Sequence, residues 1–256
     1  MRKNKYLNEC IHKFTKSNGE IRTKLVVENN LILQTAIYHL AMCEELGHIS
    51  NDEGWDFNFI LNFNLPDLEA SLLLATYGYY SQAKSILRMV LDTAVREIYF
   101  EEITPAFLAF EKYPVKNRLP PFRTLFEEYL AWPAAQEYDS ISLSEKMYFD
   151  QENNIKFSQH ILNTYKYLCA HIHPGGTAAR VVFINEKRHI GNVADKDALV
   201  NYMGDFFNIC IILCIFVLLL ESIQSGKKPL LFKQLYKKEY DIISKINAKL
   251  RNNLSE

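Results

Sequence analysis

Residues 196–224 read KDALVNYMGDFFNICIILCIFVLLLESIQ, and the middle of that stretch, Phe206 to Leu220 (FFNICIILCIFVLLL), decides the fold. These 15 residues hold no charged side chain, and Asp205 and Glu221 flank them with no basic residue adjacent. A helix needs roughly 20 apolar residues to cross a bilayer, so the run is short for a span. A helix that is apolar on every side is buried on every side. The stretch is therefore predicted as the central helix of a bundle, from about Lys196 to Gln224, with Ser225-Gly226 as its breaker. No membrane insertion is expected.

The rest of the chain agrees. Its 256 residues include only 9 glycines and 8 prolines, too few for a turn-dense β-sandwich. At 48% hydrophobic and 13% aromatic it is also too apolar for a disordered chain. Helical spacing recurs along it. Leu25, Ile32, Ala36, Leu40 and Cys43 make one stripe. Leu65-Pro66-Asp67 marks a helix start, and Ser81 is a candidate N-cap for a helix running to about Glu102. Gly47 and Gly78 are candidate helix ends.

Pro105, Pro114, Pro120, Pro121 and Pro133 cut residues 104–154 into short pieces, with one helix over Phe122–Leu130. A longer helix starts near Ile155 and stops at Pro174-Gly175-Gly176. Arg180–Ile184 and Arg188–Ile190 predict a small hairpin, and Leu230–Leu250 a closing amphipathic helix. The expected architecture is all-α: one compact helical bundle over residues 1–256 with a small β-hairpin near 180–190. Residues 22–103 and 155–250 form the bundle in this reading, and 104–154 are an irregular connector.

The net charge of −1 conceals an uneven distribution. Residues 1–24 carry seven basic and two acidic groups, residues 227–256 eight and three, so the middle is strongly acidic. Basic ends that converge would offer a surface to RNA or another anion; the plainer reading is a pair of solvated Lys-rich helices. The five cysteines include no CxxC pair, and an odd count without a signal peptide points to a reducing cytoplasm.

Candidate site residues come from polar groups on apolar helix faces. In the helix 81–102, Ala83, Ile86, Leu87, Val90, Leu91, Ala94 and Ile98 share an apolar arc at about 100° per residue. Glu97 projects within that arc. It is either an acceptor for a cation from another helix or a site carboxyl with a raised pKa. Arg88 lies at the edge with Asp92 one turn on, an i,i+4 pair. In the helix ending TYKYLCAHIHP, Tyr165 belongs to the core stripe, while His160, Thr164, Tyr167 and His171 form a polar edge beside it. His171 and His173 point to opposite sides of a helix and do not make a ready metal pair, and no other metal motif or cofactor-binding signature is present. No metal and no cofactor is expected.

Two segments resemble a known family. Gly78-Tyr79-Tyr80-Ser81-Gln82-Ala83-Lys84-Ser85-Ile86-Leu87-Arg88-Met89-Val90-Leu91-Asp92, followed by Tyr165-Lys166-Tyr167-Leu168-Cys169-Ala170-His171-Ile172-His173-Pro174, is similar to bacterial helical proteins related to HEPN-like domains. The matched anchors are Gly78, Gln82, Ala83, Arg88, Asp92, Tyr165, Leu168, His173 and Pro174. The resemblance implies an all-α bundle, often a homodimer. Catalytic members are metal-independent endoribonucleases of toxin and phage-abortive systems, marked by Arg, four to six residues, then His. No Arg in this chain precedes a His at that spacing, and Cys169 stands where Ser is usual.

Two functions follow as expectations. The first is a non-catalytic HEPN-like binding or scaffold module of bacterial stress or phage defence, with RNA or a protein as partner. The alternative is an endoribonuclease effector in which His173 is the general acid or base and Arg88 stabilises phosphate charge.

Overall fold

The fold was obtained as a computed structural model that describes residues 19–54, 56–102, 112, 119–140, 156–171, 182–184, 187–189 and 194–225. Residues 19–28 are helical and lead through a turn at Asn29 into α1 (Asn30–Asp52). A short 3₁₀ turn at Asp56–Asn58 runs into α2 (Phe59–Asn62), then come α3 (Leu65–Thr76) and α4 (Tyr80–Glu102). The second half contains α5 (Phe122–Glu128), α6 (Ala131–Ser140), α7 (Phe157–Ala170) and α8 (Lys196–Ser225). This is an all-α fold. The backbone at Val182–Ile184 and Lys187–His189 pairs antiparallel, with Ile184 opposite Lys187, so Lys187 belongs to the second strand.

α8 is the axis. Every residue from Ile212 to Leu220 is buried, as are Tyr202, Met203, Phe206, Ile209 and Cys210. At 30 residues the helix is long and apolar enough to cross a membrane by length and composition alone. The 15-residue count from sequence therefore understates it, and the observation that matters is that 67% of the apolar window is covered by other helices. α1 runs along one side, where His39 stacks on Phe207 at 4.4 Å and the Cys43 and Cys214 sulfurs meet at 3.6 Å. Apolar burial of this kind stabilises by about 25 cal/mol per Å².

Local chemistry fixes the ends. Gly78 takes φ +78°, with its N–H on the Ala75 carbonyl and the Tyr79 N–H on the Leu74 carbonyl. That paired motif closes α3 and needs a residue tolerant of the left-handed region. Gly47, in contrast, lies inside α1: a Cβ there would come 3.0 Å from Asn62 Oδ1, so the glycine lets α2 approach. Ser81 is not a cap either. It falls in the first turn of α4 and its hydroxyl reaches the His171 carbonyl at 3.5 Å. Asp195 caps α8, accepting the Ala198 N–H at 2.6 Å, and its own carbonyl accepts from the Tyr80 hydroxyl at 3.0 Å.

The proline-rich stretch contributes to the core. α5 and α6 bury Phe122, Leu125, Phe126, Ala131, Ala134, Ala135 and Tyr138. Pro133 is tolerated because it occupies the first turn of α6, where backbone N–H groups have no intrahelical acceptor. Asp139 at the end of α6 then accepts from the Phe157 N–H and the Ser158 hydroxyl, capping α7 from outside it. The Lys-rich segments 1–18 and 226–256, with the closing helix expected at 230–250, lie outside the described residues.

Candidate functional site: a polar seam along α4

α4 turns Lys84 and Arg88 toward α7 and α8 at successive turns. The deepest is Lys84, 5% exposed. Its ammonium lies 2.7 Å from Tyr167 Oη, 2.6 Å from Asn201 Oδ1 and 2.8 Å from Asp205 Oδ2, and it also stands 4.9 Å from the centre of the Tyr167 ring. The Asp205 contact is off the axis of a good hydrogen bond and is chiefly ionic. Three oxygens surround the ammonium, two as hydrogen-bond acceptors and the third as its counter-charge. Burial pushes the Asp205 carboxyl above its ordinary range, with the Lys84 charge pulling the other way. A charge pair this dry is held by geometry. His171 closes the outer end of the group, edge-on to the Tyr167 ring at 5.0 Å.

One turn further on, Arg88 donates from Nη2 to Tyr165 Oη at 2.6 Å, its guanidinium 5.2 Å from the ring centre. Tyr165 is stacked on Phe122 of α5, 3.8 Å between ring centres and 6° from coplanar. Burial opposes the Arg88 charge, but the Tyr165 hydroxyl and the Asp92 carboxylate outweigh it and raise its pKa. The Tyr165 hydroxyl is itself raised by burial, against the pull of Arg88. Asp92 divides its attention. Arg96 Nε binds its Oδ2 at 2.8 Å while Arg88 Nη2 stays at 3.9 Å, so the Arg88–Asp92 pair is the weaker of the two.

The polar edge of α7 completes the seam. His160 shares a hydrogen bond with Asn208 Oδ1 at 2.8 Å, and Asn208 Nδ2 donates to Thr164 at 3.3 Å. On the other side of α8, the Tyr202 hydroxyl meets Ser71 of α3 at 2.8 Å, and Ser71 donates to the Ala83 carbonyl.

Of the residues expected from sequence, Arg88, Asp92 and Tyr165 come together, and His171 joins the neighbouring Lys84 group. Glu97 stands apart from both. No cation pairs with it among the described residues; its Oε2 accepts instead from Asn64 Nδ2 at 3.1 Å. Burial first, then the nearby Asp67, push the Glu97 carboxyl up to about 8. The cation expected as one alternative partner of Glu97 is not found among the described residues, and its carboxyl is raised by burial. His173 lies outside the described residues. Among the described residues no three His, Cys, Asp or Glu side chains converge as a metal ion requires.

Lys84, Asn201 and Asp205 are the residues that sequence reasoning missed. The signal was present: Tyr80, Lys84, Leu87 and Leu91 follow a core stripe, so a lysine there needed a partner. Asp205 was visible as the flank of the apolar run. Nothing in the sequence said that the two would meet. No protein-family model matches the chain, and neither a curated protein nor a solved structure matches it significantly.

Proposed function

We propose that this chain is a non-catalytic helical binding or scaffold module of the HEPN-like kind, acting as a homodimer in bacterial stress or phage defence. One observation carries the reading: the cations of α4 work inward. Lys84 gives hydrogen bonds to Tyr167 and Asn201 and is ion-paired with Asp205, Arg88 spends its strongest bond on Tyr165, and Asp92 answers Arg96. A catalytic arginine needs its guanidinium aimed where substrate charge develops. Here Lys84 and Arg88 join α4 to its neighbouring helices, and Arg96 holds Asp92 within α4.

The test is induction of the full chain in cells, with growth and total-RNA integrity followed together. The module reading expects intact tRNA, mRNA and ribosomal RNA. It also expects Arg88→Ala to lower the melting temperature by a few degrees, roughly the effect of 1 kcal/mol in a chain of this size. RNA cleavage that disappears in Arg88→Ala or His173→Ala, at unchanged melting temperature, would overturn it in favour of the metal-independent endoribonuclease.

A further inference from the structure

Asn64 lies between α2 and α3 and is fully buried. Its amide can face only one way. Nδ2 donates to the Ile60 carbonyl at 2.8 Å, and turning the amide over would set Oδ1 against that carbonyl oxygen. The second Nδ2 proton goes to Glu97 Oε2 of α4 at 3.1 Å. Asn64 Oδ1 is then left buried with no donor among the described residues. An orphaned buried acceptor costs on the order of 1–3 kcal/mol, and a half-buried carboxylate beside a neutral amide is also costly. One proton removes both problems. A carboxylic acid has an O–H to give as well as an oxygen to accept with, which is what the two free valences of the Asn64 amide require.

We propose that Glu97 keeps its proton in the folded bundle and pairs with Asn64 as a carboxylic acid–amide couple, its O–H donating to Asn64 Oδ1, so that this clasp between the α2–α3 junction and α4 is released by deprotonation. The groups around it suit that role. From α3 the facing charge is Asp67, which repels an ionised Glu97; from the α2 side comes the neutral Asn64; among the described residues no ionisable group of α5, α7 or α8 acts on it. The shifted titration of Glu97 agrees with the geometry. Its sign follows from linkage: the carboxyl ionises at its ordinary 4.5 when unfolded and at about 8 when folded. The stabilisation is full below the lower value, declines as pH rises between them and is gone above the upper one. The clasp is independent of whether the bundle binds a partner or cuts RNA.

Glu97→Gln is the informative variant, because a primary amide offers the same donor and acceptor with no proton to lose. Thermal melts of the full chain at pH 6 and pH 9 should show wild type losing about 5 °C or more relative to Glu97→Gln. Glu97→Ala should be destabilised already at pH 6. Carbon-13 NMR of the glutamate carboxyl carbons gives a second readout in the unmutated protein. The Glu97 resonance, identified by its absence in the variant, should titrate in the alkaline range. A Glu97 midpoint in the ordinary carboxylate range would overturn the clasp. So would a Glu97→Gln melt that falls with pH in parallel with wild type.

Discussion

The two halves of α8 hold the bundle by different means. From Ile212 to Leu220 every side chain is buried, and the helix is dry all round. From Asn201 to Asn208 the same helix carries polar groups, each tied to a named partner: Asn201 and Asp205 to Lys84, Tyr202 to Ser71, and Asn208 to His160 and Thr164. Apolar attraction is proportional to area and has no direction. A helix buried on every side gains nearly the same energy at several rotations, so the second half supplies stability and little register. The first half supplies register. Asn201, Asp205 and Asn208 recur at four and three residues, which puts them on one face toward α4 and α7.

The comparison can be broken by substitution, starting where the effect is largest. Phe216→Ala in the dry half should cost about 3–5 kcal/mol by leaving a cavity. Phe216→Leu should cost much less, since cores tolerate apolar repacking. Urea denaturation reads both. Lys84→Met in the pinned half should cost about 3 kcal/mol, because it strands the Asp205 carboxylate where little water reaches. Unlike a cavity, that loss should lessen at acid pH, when Asp205 takes a proton. Tyr165→Phe removes the acceptor for Arg88 while keeping the stack on Phe122, and about 1 kcal/mol of destabilisation is expected. Ser81→Ala removes the long 3.5 Å contact to the His171 carbonyl at a half-buried position and should have the smallest effect, about 0.5 kcal/mol.

Much of the fold was legible because helix boundaries follow local chemistry. Pro66 inside a first turn, Gly78 in the left-handed region and the long apolar run of α8 act over a few residues, and each element came out where its own sequence puts it. Gly47 and Ser81 misled for one reason: their roles are tertiary. Gly47 makes room for Asn62, and Ser81 reaches His171 across to α7. The α5–α6 stretch was legible only in part, since Pro133 reads as a breaker unless its place in the first turn is known.

The site divides along the same line. Arg88 and Asp92 are one turn apart on one helix, so their proximity could be read directly. That Arg96 would take Asp92 more closely could not, because both arginines satisfy the same i,i+4 rule. Glu97 announced itself as a carboxylate on an apolar face, but its partner is a neutral amide from a distant junction. Lys84 and Asp205 are 121 positions apart, and only the packing of α4 on α8 makes them a pair.

The inward use of the α4 cations is tested most directly by a double-mutant cycle on Lys84 and Asp205. Unfolding free energies would be measured in urea for wild type, Lys84→Met, Asp205→Leu and the double variant. The account predicts that each single change is strongly destabilising and that the double variant recovers much of the loss, with a coupling of about 2 kcal/mol or more. Additivity of the two single effects within about 0.5 kcal/mol would contradict it.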